Sequence, residues 1–265
     1  MPKKIVFATM KGGTGKTTLS YTIGCFLARD NKVLMIDCDP QCNISVTLGM
    51  DIYNEKLPSI ADIFETFDIE PDDIYTPSPL DELPNLDLIP STLFLSVSET
   101  ALATKAMREM FLTNYIERYK DWFDYYDYII FDTNPGMGIV NQNAFFACDH
   151  IILSADPSAC SALGGDIFMR LWKDILIFDK NQPLKIDAFI LNNMEYTNAS
   201  RDIIKYVREH AYFKDIVLTQ QVPHLTAFKE SISEQKPLFL MAKKNSTAIR
   251  AIESVIEELK ERGVL

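Results

Sequence analysis

Between a short apolar run and a helix-like segment the chain reads Lys11-Gly12-Gly13-Thr14-Gly15-Lys16-Thr17-Thr18, a set of residues suited to holding phosphate. Glycines let successive backbone N–H groups turn toward phosphate oxygens, and the start of a helix adds the positive end of its dipole. Lys16, directly after the last glycine, is placed to reach the β- and γ-phosphates of a nucleotide, and the Thr17 hydroxyl to ligate Mg²⁺. Lys11 adds a second lysine at the head of the same loop. Two other apolar runs end in carboxylates. Asp37 and Asp39 follow Val33-Leu34-Met35-Ile36, and an acid at a strand's carboxyl end sits on the rim where open α/β sheets bind ligands. Asp132 follows Tyr128-Ile129-Ile130-Phe131, a Walker B pattern, and is expected to bind Mg²⁺ through water.

These residues need elements to carry them. Short runs rich in β-branched residues at Lys4–Ala8, Lys32–Ile36, Tyr128–Phe131, Ile151–Ser154, Ile186–Leu191 and Ile216–Thr219 read as buried strands. Helical spacing fills Thr17–Arg29, Ser98–Arg118, Ala162–Ile177, Ser200–Glu209 and Ser246–Glu261. Strand alternating with helix predicts a doubly wound α/β fold with a mainly parallel sheet flanked by helices. The last helix is expected to dock on the sheet, because its polar face is mixed and Glu-bearing rather than basic, as a membrane anchor would need.

Length and charge set limits on this picture. At 265 residues, 47% hydrophobic and 24% charged, the chain can bury a sizeable core, and residues 1–265 are expected to form one domain. No apolar run approaches the ~20 residues of a bilayer span, and no leader precedes the first strand, so a cytoplasmic location is expected. The five cysteines, odd in number and without a CxxC pair, read as reduced thiols rather than as a zinc or iron–sulfur site. The net charge of −11 is unevenly spread: residues 51–90 hold six prolines and eleven acids against Lys56 alone, leaving the other 225 residues with 25 basic and 26 acidic side chains. That stretch is expected to be a surface insertion of short helices and turns, with Ile60–Phe67 one helical piece.

The loop KGGTGKTT, with its additional lysine, resembles the deviant Walker A box of the ParA/MinD family of dimeric P-loop ATPases. The resemblance extends over most of the chain. It takes in Asp37-Cys38-Asp39-Pro40-Gln41-Cys42-Asn43, Leu86–Ser91, which resembles a strand of the family, Asp132–Gly136, and Asn141–Phe145, which matches the start of the helix after Walker B. It implies that ATP and Mg²⁺ are bound, that Lys11 acts across an ATP-dependent homodimer, that Asp39 directs the attacking water and that Asp37 supports the Mg²⁺ shell. Asn192 and Pro223 correspond to positions near adenine. Three residues depart from the family pattern: Cys42 stands where glycine is common, and Asn134 and Gly136 replace residues of the loop that senses the γ-phosphate.

The resemblance further implies plasmid or chromosome partition, with hydrolysis timed by a ParB-like or cargo-linked activator. Non-specific DNA, and with it a nucleoid location, is the open partner. Tyr196, His224 and Ala227 stand where relatives can carry arginine, whereas Lys229, Lys236, Lys243, Lys244 and Arg250 offer a different patch. Two other readings remain: a MinD-like or cargo-positioning ATPase without DNA binding, and a nucleotide switch that does not hydrolyse.

Overall fold

A computed structural model describes residues 1–177, 183–195, 197–241, 243 and 246–265. Seven strands, β1 (Lys3–Ala8), β2 (Val33–Cys38), β3 (Leu86–Ile89), β4 (Tyr128–Thr133), β5 (His150–Ala155), β6 (Ile186–Met194) and β7 (Val217–Pro223), form one sheet in the order β3-β2-β4-β1-β5-β6-β7. Every neighbouring pair is parallel, so all carboxyl ends open on the same rim. The strands read as continuous apolar runs because both faces are covered. In β1, Val6 and Ala8 join one core with Ile36 and Phe131, while Ile5 and Phe7 join the other with Met35 and Ile130. Helices Ile139–Ala147 and Ala159–Leu176 cover the first face; Lys16–Leu27 and Thr247–Glu261 cover the second.

The expected strands and helices are present, with two differences that have physical causes. The segment expected as one helix over Ser98–Arg118 is broken into Leu95–Leu102, a 3₁₀ turn at Arg108–Met110 and Phe111–Arg118. Met107, at the break, has φ 51°. The buried Asn143 satisfies the interrupted backbone: its amide donates to the Arg108 carbonyl at 2.8 Å and its Oδ1 accepts from the Leu112 N–H at 3.0 Å.

The stretch 51–90 ends in the strand that the resemblance implies at Leu86–Ser91, here β3, and is more than a surface insertion, since it also buries Ile60, Ile63, Phe64 and Ile74. Its acids point outward, with Asp62 and Asp87 half-buried and the other nine exposed. Asp62 closes a capping box with Ser59 at the start of the helix Ile60–Thr66, one residue shorter than expected.

Thr247–Glu261 docks on the sheet as its spacing implies, burying Ile249, Ile252, Val255, Ile256 and Leu259, with Ser246 as its N-cap. Its Glu258 carboxylate accepts the N–H groups of Thr219 and Gln220 at 2.9 Å each, which closes part of the outer edge of β7. Among the described residues no helix is long and apolar enough to cross a membrane.

Candidate nucleotide site

The loop after β1 turns into the helix Lys16–Leu27 through two left-handed glycines, Gly13 (φ +80°) and Gly15 (φ +78°). Gly15 is fixed by space as well, because a Cβ there would lie 2.4 Å from the Asn192 amide nitrogen. That amide donates to the Thr14 carbonyl at 2.7 Å, so Asn192, expected near a base, also clamps the phosphate loop.

Lys16 is buried, its ammonium 3.3 Å from Asp132 Oδ1 and donating to the Thr133 carbonyl. Thr17 donates to Asp132 Oδ2 at 2.8 Å and Ser20 to Oδ1 at 3.0 Å. One ammonium and two hydroxyls therefore compensate a carboxylate with no solvent exposure, as a buried charge requires. The Thr17 hydroxyl beside the Asp132 carboxylate is an all-oxygen pair that suits Mg²⁺, which completes its shell with water and substrate phosphate. Among the described residues no group of three or more His, Cys, Asp or Glu side chains is arranged to hold a metal.

The two acids of the β2 end are placed differently. Asp37, paired in register with Asp132, accepts from the Asp39 N–H (3.1 Å) and from the Ser45 N–H and hydroxyl (2.9 and 2.7 Å). Burial first, and the neighbouring Asp132 second, push its pKa up to about 7. All its contacts are inside the protein, so its support of a metal shell would run through the position of Asp132. Asp39 instead faces the cavity, with one oxygen accepting from the Gln41 N–H at 2.8 Å. Burial raises its pKa, while the Gln41 hydrogen bond and Lys16 pull it back.

Lys11 lies at the other side of the loop. Its ammonium meets Asp156 Oδ2 and Ser158 Oγ, both at 3.0 Å, just beyond β5. The cavity enclosed between these groups has a volume of about 320 Å³ and is lined by Lys11, Gly13–Thr18, Asp39 and Asn192, among others. Gly12 and Pro223 do not line it; Val222 and Leu225, on either side of Pro223, do.

The family departures also acquire a geometry. Cys42 has φ 55°, a left-handed backbone that explains why glycine is common there. Gly136 has φ +121°, and the Asn141 amide holds its loop through the carbonyls of Asn134 (2.9 Å) and Gly136 (3.0 Å). Of the candidate DNA positions, His224 is bonded to Glu195 at 2.7 Å and Ala227 is half-buried, while Tyr196 and Lys244 lie outside the described residues. Lys236, Lys243 and Arg250 are exposed, whereas Lys229, also exposed, lines the nucleotide cavity.

Sequence reading missed Ser20, Ser45, Asp156 and Ser158, and also Phe228, which lines the cavity. Ser20 stands one helical turn after Lys16 and Thr17, and Asp156 repeats the strand-end acid of β2 and β4, so both had a usable signal.

A family model described as an AAA domain matches residues 2–187. The sporulation initiation inhibitor protein Soj of Bacillus subtilis is 32% identical over 91% of this chain and 91% of its own length. The chain belongs to the ParA/MinD family of P-loop ATPases. Its relatives in the family include the chromosome partitioning protein ParA of Caulobacter vibrioides, 29% identical over 89% of this chain and 86% of its own length. The ParA/MinD fold is likewise that of apo McdA from Cyanothece (TM-score 0.84, 22% identity, 99% of both chains). A plasmid partition protein of Borrelia burgdorferi bound to AMPPNP shares it too (TM-score 0.79, 23% identity, 99% of this chain and all of that one).

Proposed function

We propose that this chain is a ParA-type ATPase that dimerises on ATP and hydrolyses it to drive plasmid or chromosome partition. A partition or positioning P-loop ATPase is the class to which its relatives point. The observation that carries the finer reading is the convergence of three strand ends: Lys16, Thr17 and Asp132 form one hydrogen-bonded group, and Asp39 faces the cavity they border.

The loop N–H groups and Lys16 hold the phosphates, and Thr17 with Asp132 would hold Mg²⁺. When bound, the ion supplies charge neutralisation on the phosphate oxygens. Asp39 orients water toward the γ-phosphate. Lys11 leaves Asp156 and Ser158 to meet the phosphates of the partner subunit's nucleotide, where charge develops during transfer. Asn192, Val222 and Leu225 bound the base side of the cavity. The whole chain, 1–265, acts as one cytoplasmic unit whose turnover is timed by a ParB-like or cargo-linked activator.

A second reading, positioning of a cargo without DNA, is favoured by one feature: His224 is occupied by Glu195, and Ala227 carries no charge. A duplex-DNA titration with ATP against ADP at two salt concentrations separates the two. Partition predicts binding only with ATP, weakening steeply with salt as phosphate contacts release counterions. Absence of ATP-dependent binding at low salt would favour the second reading.

A further inference from the structure

At the amino ends of β3 and β4, on the rim opposite the nucleotide loop, aromatic side chains enclose a second cavity of about 400 Å³. Tyr75, just past the helix Pro71–Ile74, stands edge-on to Trp122 of the helix Lys120–Phe123, their ring centres 5.2 Å apart at 80°. Tyr126 lies 5.4 Å from Trp122 at 56° and 5.2 Å from Tyr125 at 84°. Rings crossed at such angles form walls rather than a stack, and all four line the cavity. Tyr125, the outermost, is 59% exposed.

The charged wall is Asp87, the second residue of β3. Its Oδ1 accepts the Ser78 N–H at 2.9 Å and its Oδ2 the Tyr126 hydroxyl at 2.8 Å, which fixes the carboxylate in place. Among the described residues no lysine, arginine or histidine pairs with it. Burial first, and the Asp87 charge second, raise the pKa of both Tyr75 and Tyr126 above the ordinary 10.0, as a negative potential in the cavity does.

Aromatic walls around a fixed, unneutralised carboxylate are the chemistry of a cation site. The Tyr125 ring already attracts one cation, since the Lys32 ammonium lies 5.5 Å from its centre, although Lys32 does not line the cavity. A guanidinium suits both kinds of wall, because its plane stacks on rings while its fork meets a carboxylate. Further acids stand at the mouth. Asp81 and Glu82 are exposed in the turn between the lining residues Ser78 and Pro84, and Asp72 accepts the Trp122 indole N–H at 2.7 Å. A free cation leaves these outer charges unmet, whereas a chain with several basic side chains answers them, and this selects a polypeptide.

We propose that the cavity seats an arginine side chain of a basic partner polypeptide. The inference goes beyond the nucleotide reading and does not depend on it, since the two sites lie on opposite rims.

Trp122 reports occupancy, because it lines the cavity while the other tryptophan, Trp172, is buried. Tryptophan emission of the full chain is titrated with the peptide acetyl-Gly-Arg-Gly-Arg-Gly-amide, with its counterpart carrying neutral citrulline at both arginines, and with tetramethylammonium. The arginine peptide should give a saturable change and bind at least ~10-fold more tightly than the citrulline peptide. Asp87→Asn should weaken it at least ~10-fold, and Tyr125→Ala, which trims a mostly exposed side chain, about 3-fold. Both variants should keep wild-type ATP turnover, and peptide affinity should be the same with ADP, with AMPPNP and without nucleotide.

No saturable change, a citrulline peptide that binds equally well, or an affinity unchanged in Tyr125→Ala or in a folded Asp87→Asn would overturn the inference. Binding that requires AMPPNP would move the contact to the nucleotide rim and overturn it as well. Tetramethylammonium binding as tightly as the peptide would assign the cavity to a free cation, with the same consequence.

Discussion

Lys16 cannot be removed without leaving Asp132 in the protein interior with only the hydroxyls of Thr17 and Ser20 for company. Breaking a buried pair from one side typically costs ~3–5 kcal/mol, because the remaining charge is uncompensated. Lys16→Met is therefore expected to lower the unfolding free energy in urea by about 3 kcal/mol, besides abolishing ATP binding. A stability equal to wild type would mean that the two hydroxyls suffice. Lys11 differs, being a partly exposed cation tied to Asp156, and such pairs contribute only ~0–1 kcal/mol. If that tie holds Lys11 back from the partner subunit, Asp156→Asn should raise ATP turnover by up to ~5-fold, the rate equivalent of about 1 kcal/mol. Unchanged or slower turnover would show that the tie does not restrain it.

The signals for Lys16, Thr17 and Asp132 were local and therefore legible in the sequence. The hold of Asn192 on the loop depended instead on which strand lies beside which. Asn192 reaches the loop because the parallel sheet brings the end of β6 to the same rim as β1, an adjacency that no local spacing encodes.

At the scale of elements, period and composition gave the alternation of strand and helix, because parallel strands buried on both faces must be apolar throughout. The break between Leu102 and Phe111 was not legible, since it depends on Asn143 from a helix some 30 residues later. The edge of β7 is similar, its closure resting on Glu258 of the last helix. Burial pushes the Glu258 carboxyl up, but hydrogen bonds from the Gln220 and Thr219 N–H groups and from Arg262 bring it below its ordinary value of 4.5.

A carboxyl held low in the folded state stabilises fully above its unfolded value, and that stability is lost as pH falls through the folded one. Glu258→Ala should thus cost ~1–2 kcal/mol at pH 7, and the gap from wild type should close as pH drops below 4.5. Urea unfolding at the two pH values checks it. A gap that persists in acid would mean that packing, not charge, holds the edge.

At the scale of the molecule, the charge of −11 comes almost entirely from residues 51–90, which turn their acids outward while giving β3 and several apolar side chains to the fold. The body that carries the nucleotide site is close to neutral. Its parallel sheet brings the ends of β1, β2, β4, β5 and β6 to one rim, and the nucleotide site lies there. Binding, turnover and association are in this account separable acts of that rim: the loop and Lys16 bind, Asp39 governs water, and dimerisation follows binding. Asp39→Ala tests the separation most directly, with light scattering and phosphate release followed in the same ATP-containing sample. The account predicts a stable dimer that releases no phosphate. A variant that stays monomeric with ATP, or that releases phosphate at the wild-type rate, would contradict it.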